Sequence, residues 1–200
     1  QGGEPLLAFE NIKLIVEKVQ KKNLEENRNI NFVIATTLHF LDSDNLLFIK
    51  ENNILLSTSL DGPEWLHNAN RPNRNKDSYQ KTIKNLNKAR DFLGEDKVSA
   101  LTTLTKKSLQ YPREIVDSYV ENKFQSIFLR PLSPYGFAVK TDKKIGYTMN
   151  DFIDFYKIAL DYIIQINKDG YSLEESYTTI LLTHILTPFP TGYVDLRSPT

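Results

Sequence analysis

The chain has 200 residues, enough for one domain with a substantial core. Lys+Arg and Asp+Glu balance at 25 each, so charge gives no reason to expect nucleic acid or an anionic membrane as partner. Cysteine is absent, which excludes a disulfide, a thiolate nucleophile and a Cys-ligated metal within these residues, and no apolar run approaches the ~20 residues of a membrane span.

Strand-like and helix-like segments alternate, the pattern of a parallel α/β architecture. After Gln1-Gly2-Gly3-Glu4-Pro5 the sequence predicts a helix from about Glu10 to Lys22, with Ile12, Ile15, Val16 and Val19 on one stripe. Ile30–Thr36 reads as a buried strand. Asp42 or Ser43 caps a short helix carrying Leu46, Leu47 and Ile49. Ile54–Ser59 is the next strand, and Asp61 to Asp77 reads as a polar loop. Asp77 or Ser78 opens a helix to about Phe92, with Ile83, Leu86 and Leu93 inward and Gly94 as its stop. Val98–Leu104 is a third strand. Pro112 suits the first turn of a helix whose apolar face is Ile115, Val116, Tyr119 and Val120. Ser126–Leu129 is a fourth strand, ending at Arg130-Pro131. Thr148 to Asp151 caps a long helix to about Lys168, stopped by Gly170, and Ser172 to Glu175 reads as a capping box for a last helix to about Thr187. The expected division is βα units over 1–147, then C-terminal helices and the start of a connection over 148–200.

Polar residues recur at the strand C-termini: Thr36-Thr37, Ser57 with Ser59, Thr102-Thr103, and Arg130. Barrels and open parallel sheets both place their sites at that rim. Two segments there carry chemistry. In Gly2-Gly3-Glu4-Pro5 the glycines allow close backbone approach or positive φ, and Glu4 offers a carboxylate to an ammonium group. In Ser59-Leu60-Asp61-Gly62-Pro63, followed by His67-Asn68 and Arg71, Ser59 and Asp61 offer hydrogen bonds to a ribose or carboxylate, and Arg71 offers a carboxylate clamp. His39, His67 and His184 have no metal-ligand spacing, and Trp65, His39 and His184 read as packed or surface side chains.

The first segment resembles the Gly-Gly-Glu-Pro motif of radical S-adenosylmethionine (radical SAM) enzymes. The second resembles the Ser-(Leu/Met)-Asp-Gly-Pro…His-(Asp/Asn)-x-x-Arg pattern of their peptide maturases with a SPASM extension, among them the anaerobic sulfatase-maturating enzymes. Asp96–Thr105, Tyr111–Tyr119, Ser126–Gly136 and Tyr193–Pro199 are similar to a narrower group, the radical SAM maturase of the His-Xaa-Ser peptide system.

The resemblance implies a fragment of a partial (β/α)6 TIM-like barrel. It lacks the N-terminal cluster-binding strand and loop and any C-terminal SPASM domain. It also implies SAM as cofactor, with a 4Fe–4S cluster on a Cys-x3-Cys-x2-Cys loop upstream of Gln1. The chain begins in mid-motif, without a starting Met, and is expected to be inactive alone. In the intact enzyme, reductive cleavage of SAM would give a 5′-deoxyadenosyl radical that modifies a ribosomally made precursor peptide. A flavodoxin- or ferredoxin-type donor would supply the electron, in the cytoplasm. Carried over by position, Gln1, Gly2, Gly3, Glu4 and Pro5 would take the SAM amine. Thr36, Ser59 and Asp61 would also line the cofactor site, Ser59 at the ribose or methionyl region. Arg71 would bind the carboxylate, and Leu132 would contact adenine. Thr36-Thr37-Leu38 stands where relatives often have Thr-Asn-Gly or Thr-Asn-Leu, so Thr37 replaces the Asn and inherits no contact. Two other readings stay open on the residues alone: a cofactor-free α/β-barrel hydrolase or lyase using Glu4, Asp61, Arg130 and Lys140, and a non-catalytic binding domain derived from the barrel.

Overall fold

The computed structural model describes residues 3–132, 143–189 and 191. Gln1, Gly2, Ser133–Gly136, Lys140 and Tyr193–Pro199 therefore lie outside the described residues. The chain divides into two compact units between Leu101 and Thr102.

In the first unit, Glu4 precedes a 3₁₀ turn, Pro5–Ala8, that runs into α1, Phe9–Glu26. Pro5 suits this start because its missing N–H needs no partner there. The helix outruns the predicted Lys22 and stops where Asn27 turns left-handed (φ +48°), its N–H bonding Asn23 O at 2.8 Å. Three parallel strands follow, in spatial order β1 (Val33–Ala35), β2 (Leu55–Ser59), β3 (Val98–Leu101). Parallel neighbours need crossovers, and the helices α2 (Ser43–Glu51) and α4 (Ser78–Leu93) supply them. β1 is shorter than predicted because its partner begins late: Leu55 N–H reaches back to Phe32 O, and Thr36 N–H forward to Ser57 O, both at 2.9 Å. β3 stops at Leu101, where its partner ends at Ser59.

Side chains alternate across this sheet. Ile34, Leu56, Thr58, Val98 and Ala100 are buried, while Val33, Ala35, Ser99 and Leu101 point to an exposed face. α4 packs on β2 and β3 through Leu86 and Ala89, both fully buried. Ile83 and Leu93, predicted inward, are only half-buried, and Ser78 and Thr82 are buried instead. The loop predicted from Asp61 to Asp77 contains a helix, α3 (Glu64–Asn70). Seven residues with Leu66 and His67 as the only buried positions are too few to show a helical period. Along the outer edge of β1 runs an open groove of about 760 Å³, floored by Val33 and Ala35 and walled by Ile12, Ile15 and Leu7.

In the second unit, α5 (Pro112–Glu121) packs against α6 (Met149–Lys168). Ile115, Val116, Tyr119 and Phe124 form a core, and α6 buries Phe152, Phe155, Ala159 and Ile163 on its own inner face. The Thr148 cap forms as predicted, a reciprocal box with Asp151. The predicted box at Ser172 does not form. Glu174 and Glu175 pair instead as β5 with β4 (Ser126–Ile127), in parallel, and this extended backbone delays the last helix, α7, to Ser176–Leu186.

Glu175 is the cap of α7. Its buried carboxylate accepts N–H groups of Leu129 (3.0 Å), Tyr177 (3.2 Å) and Thr178 (2.6 Å), and the Tyr156 hydroxyl. Burial, and then the bond to Glu175, push the Tyr156 phenol far above its usual pKa. Glu175→Ala is expected to destabilise the chain by about 3 kcal/mol, since buried donors lose their acceptor. Glu175→Gln should recover part of that, because its carbonyl oxygen still accepts. Urea midpoints test both, and an unchanged midpoint in Glu175→Ala would show the cap to be dispensable.

Candidate functional site

The C-terminal rim of the first unit is built around Glu4. β1 ends at Ala35, and the next residues, Thr36 and Thr37, turn toward the segment before α1. Thr36 donates its hydroxyl to Glu4 Oε1, which also accepts the Leu6 N–H at 3.2 Å. Thr37 gives Oε2 both its N–H (2.8 Å) and its hydroxyl (2.6 Å). Burial alone would raise the Glu4 pKa, but these hydrogen bonds from Thr36, Thr37 and Leu6 outweigh it and hold the carboxyl below its ordinary value. Gly3 beside it has φ +88°, and a Cβ there would meet nothing within 4 Å, so glycine is needed for backbone conformation rather than for close packing.

The turn after Thr37 is strained. Leu38 is fully buried yet left-handed, at φ +63°. Its N–H bonds Thr36 Oγ1 at 3.0 Å, and its carbonyl accepts the Asn85 side chain at 2.8 Å. Glycine adopts this conformation without cost, whereas a leucine does not.

At the end of β2 the second motif folds onto itself. Asp61 is 1% exposed, and Arg71 grips it with Nε on Oδ2 (2.7 Å) and a terminal nitrogen on Oδ1 (3.2 Å). The Asp61 N–H donates to His67 Nδ1 at 3.3 Å. The imidazole proton therefore sits on Nε2, which is buried without a hydrogen-bond partner. Burial pushes the His67 pKa down to about 4. Asn68 Oδ1 accepts from Ser78 Oγ (2.9 Å) and Tyr79 N–H (2.8 Å), capping α4 from outside, whereas Asp77 makes no cap bond. His67, Asn68 and Arg71 thus each make a bond that shapes the chain.

The predicted residues fall into distinct groups. Glu4 and Thr36 meet directly, with Gly3 and Pro5 on the same turn. Asp61 and Arg71 meet each other in a two-point ion pair. Ser59, half-buried, closes β2 opposite Leu101. Because Ala35 pairs with Ser57, the Glu4 turn and Ser59 share one end of the sheet. Leu132 belongs to the second unit and gives its N–H to the Tyr147 hydroxyl at 2.7 Å. His39 bonds Ser78 O and Thr82 Oγ1, His184 bonds Thr191, and Trp65 is 46% exposed. Sequence reasoning missed Thr37, His67 and Asn68 as structural partners. The available signal was two adjacent hydroxyls at a strand end across from an isolated carboxylate. Among the described residues, no group of three or more His, Cys, Asp or Glu could hold a metal ion, and no helix is long and apolar enough to cross a membrane.

The fold is α/β, with parallel strands alternating with helices, and it matches part of a known radical SAM fold. The structure of native anSMEcpe with bound AdoMet and Kp18Cys peptide superposes with a TM-score of 0.74 at 24% identity, over 93% of this chain and 51% of that one. Native anSMEcpe with bound AdoMet and Cp18Cys peptide gives 0.76 at 22% identity, over 96% and 53%. In sequence, the cysteine-type anaerobic sulfatase-maturating enzyme of Clostridium perfringens (strain ATCC 13124) is 27% identical over 193 residues, 93% of this chain and 50% of the relative. That of Clostridium novyi (strain NT) is 25% identical over 179 residues, 81% and 47%. No family model matches. The chain is a distant homologue of the anaerobic sulfatase-maturating radical SAM enzymes and spans about half the length of these relatives.

Two outcomes follow from the Asp61 cluster. Arg71→Ala leaves a buried carboxylate without its cation and is expected to cost about 3–5 kcal/mol in urea unfolding. A loss under about 1 kcal/mol would mean that water replaces the guanidinium. His67 titrates lower folded than unfolded, so the unfolded chain binds the extra proton first. Stability should therefore fall as pH drops from about 6.5, the free imidazole value, to about 4. His67→Asn, whose Oδ1 can keep the Asp61 bond, should flatten that slope in denaturant midpoints measured against pH.

Proposed function

We propose that this chain is the SAM-binding part of a radical SAM enzyme that modifies a ribosomally made peptide. The observation that carries this reading is Glu4: an ionised carboxylate fixed at the strand rim, beside a positive-φ glycine, within the Gly-Gly-Glu-Pro turn of a distant radical SAM homologue. That donor set fits an ammonium group such as the methionyl amine of SAM. It does not fit an iron–sulfur cluster, because the chain contains no cysteine. The cluster ligands then belong to residues beyond this sequence.

Bound SAM supplies a sulfonium whose one-electron cleavage gives a carbon radical. The residues here bind and orient it. Gln1, Gly2, Gly3, Glu4 and Pro5 are the residues assigned to the amine, and Ser59 the one assigned to the ribose or methionyl region. Arg71 is the group assigned to the carboxylate and Leu132 the one assigned to adenine, both by the motif resemblance. A precursor peptide is the substrate, a flavodoxin- or ferredoxin-type protein the electron donor, and the cytoplasm the compartment. The narrower similarity to the His-Xaa-Ser system maturase belongs to the same proposal, as does the reading of the chain as a single core fragment.

The test is SAM cleavage to 5′-deoxyadenosine by the full-length polypeptide encoded by the gene, anaerobic, reduced and reconstituted with iron and sulfide. Glu4→Ala removes a charge-assisted acceptor and should weaken SAM binding roughly ten- to a hundredfold. Wild-type cleavage by Glu4→Ala at sub-saturating SAM would sink the assignment of Glu4. A wild-type polypeptide that never cleaves SAM would sink the radical SAM reading itself.

A further inference from the structure

Glu4 accepts four donors, two on each oxygen: Leu6 N–H and the Thr36 hydroxyl on Oε1, Thr37 N–H and the Thr37 hydroxyl on Oε2. A carboxylate offers about four lone-pair sites, so all are taken. All four donors are neutral, and they come from both segments packed against the carboxylate, the turn after Pro5 and the end of β1. An ammonium group can hydrogen-bond Glu4 only where one of them withdraws. The two peptide N–H groups are fixed by the backbone. The two hydroxyl hydrogens can turn about their C–O bonds.

The hydroxyl oxygens themselves are anchored. Thr36 Oγ1 accepts Leu38 N–H at 3.0 Å and Thr37 Oγ1 accepts His39 N–H at 3.4 Å. The threonines differ in burial. Thr36 is 5% exposed, so a hydrogen turned away from Glu4 would find no water there, whereas Thr37 is half-buried. Thr37 is the donor that can exchange.

We propose that Thr37 is a positioning residue for Glu4: its hydroxyl holds the carboxylate oriented while the site is empty, then turns to yield a lone pair to a ligand ammonium, presenting its own oxygen beside Oε2 as a second acceptor. Thr36 stays as the fixed clamp. This rests on the SAM-binding reading of Glu4.

The experiment compares Thr37→Ser and Thr37→Val in the full-length polypeptide without reductant. It measures equilibrium binding of SAM and of 5′-deoxy-5′-methylthioadenosine, which lacks the amine and carboxylate, together with the ¹³C-carboxyl titration of Glu4. Thr37→Val should bind SAM about tenfold more weakly, bind methylthioadenosine as wild type does, and raise the titration midpoint of Glu4. Thr37→Ser should match wild type in all three. Unchanged SAM affinity in Thr37→Val overturns the proposal. So does an equal loss for both ligands, which marks a folding effect, or a Thr37→Ser variant as weak as Thr37→Val. A wild-type polypeptide that binds no SAM, while Glu4 titrates as expected across the variants, overturns the cofactor reading and leaves only the clamp.

Discussion

The rim of the first unit depends on one carboxylate. Glu4 lies 32 residues before Thr36, on a segment with no strand of its own among the described residues, yet it is tied to the end of β1 by both threonines. A half-buried anion is tolerable only if donors replace the water it loses, and four do. The same bonds fix the turn before α1, hold the carboxyl ionised and brace the strained Leu38 through the Thr36 hydroxyl. Remove the anion, and two threonine hydroxyls and the Thr37 N–H lose their common acceptor at one point.

The chain uses this device again at other junctions. Asp61, at the end of β2, is held by a two-point guanidinium fork and sends its N–H to His67. Glu175 joins the end of β4 to the start of α7 by taking N–H groups from both sides. At each place a strand hands over to an irregular segment, and at Glu4 and Glu175 the carboxylate takes peptide N–H groups that lie beyond the ladder. A carboxylate with two oxygens can collect several such donors, which a hydroxyl or carboxamide does less well. The acidic residues that attract a catalytic reading are therefore also the residues that close the loops.

That double use bears on how a cofactor motif is read in a distant homologue. At 27% identity over half the length of a relative, matching residue types do not by themselves separate ligand contacts from loop closure. His67 and Arg71 bond Asp61, and Asn68 caps α4. The Glu4 turn keeps an anion at the rim, where one of its donors is the half-buried Thr37 hydroxyl.

Periodicity and punctuation in the sequence determined the alternating helices and strands, the Pro112 and Thr148 helix starts, the Gly94 and Gly170 stops and the placing of polar residues at strand ends. These are local matters of backbone preference and of which face can leave water. The tertiary structure alone decided what depends on residues far apart in sequence. Partner length trimmed β1 and β3. Pairing with β4 turned Glu174 and Glu175 into a strand and moved the last helix cap from Ser172 to Glu175. Seven residues that sequence leaves as loop became α3 once Leu66 and His67 found the core. Whether Glu4, Asp61 and Arg71 stand open or bonded also lay beyond the sequence, because a hydrogen bond across 32 residues leaves no periodic trace in either segment.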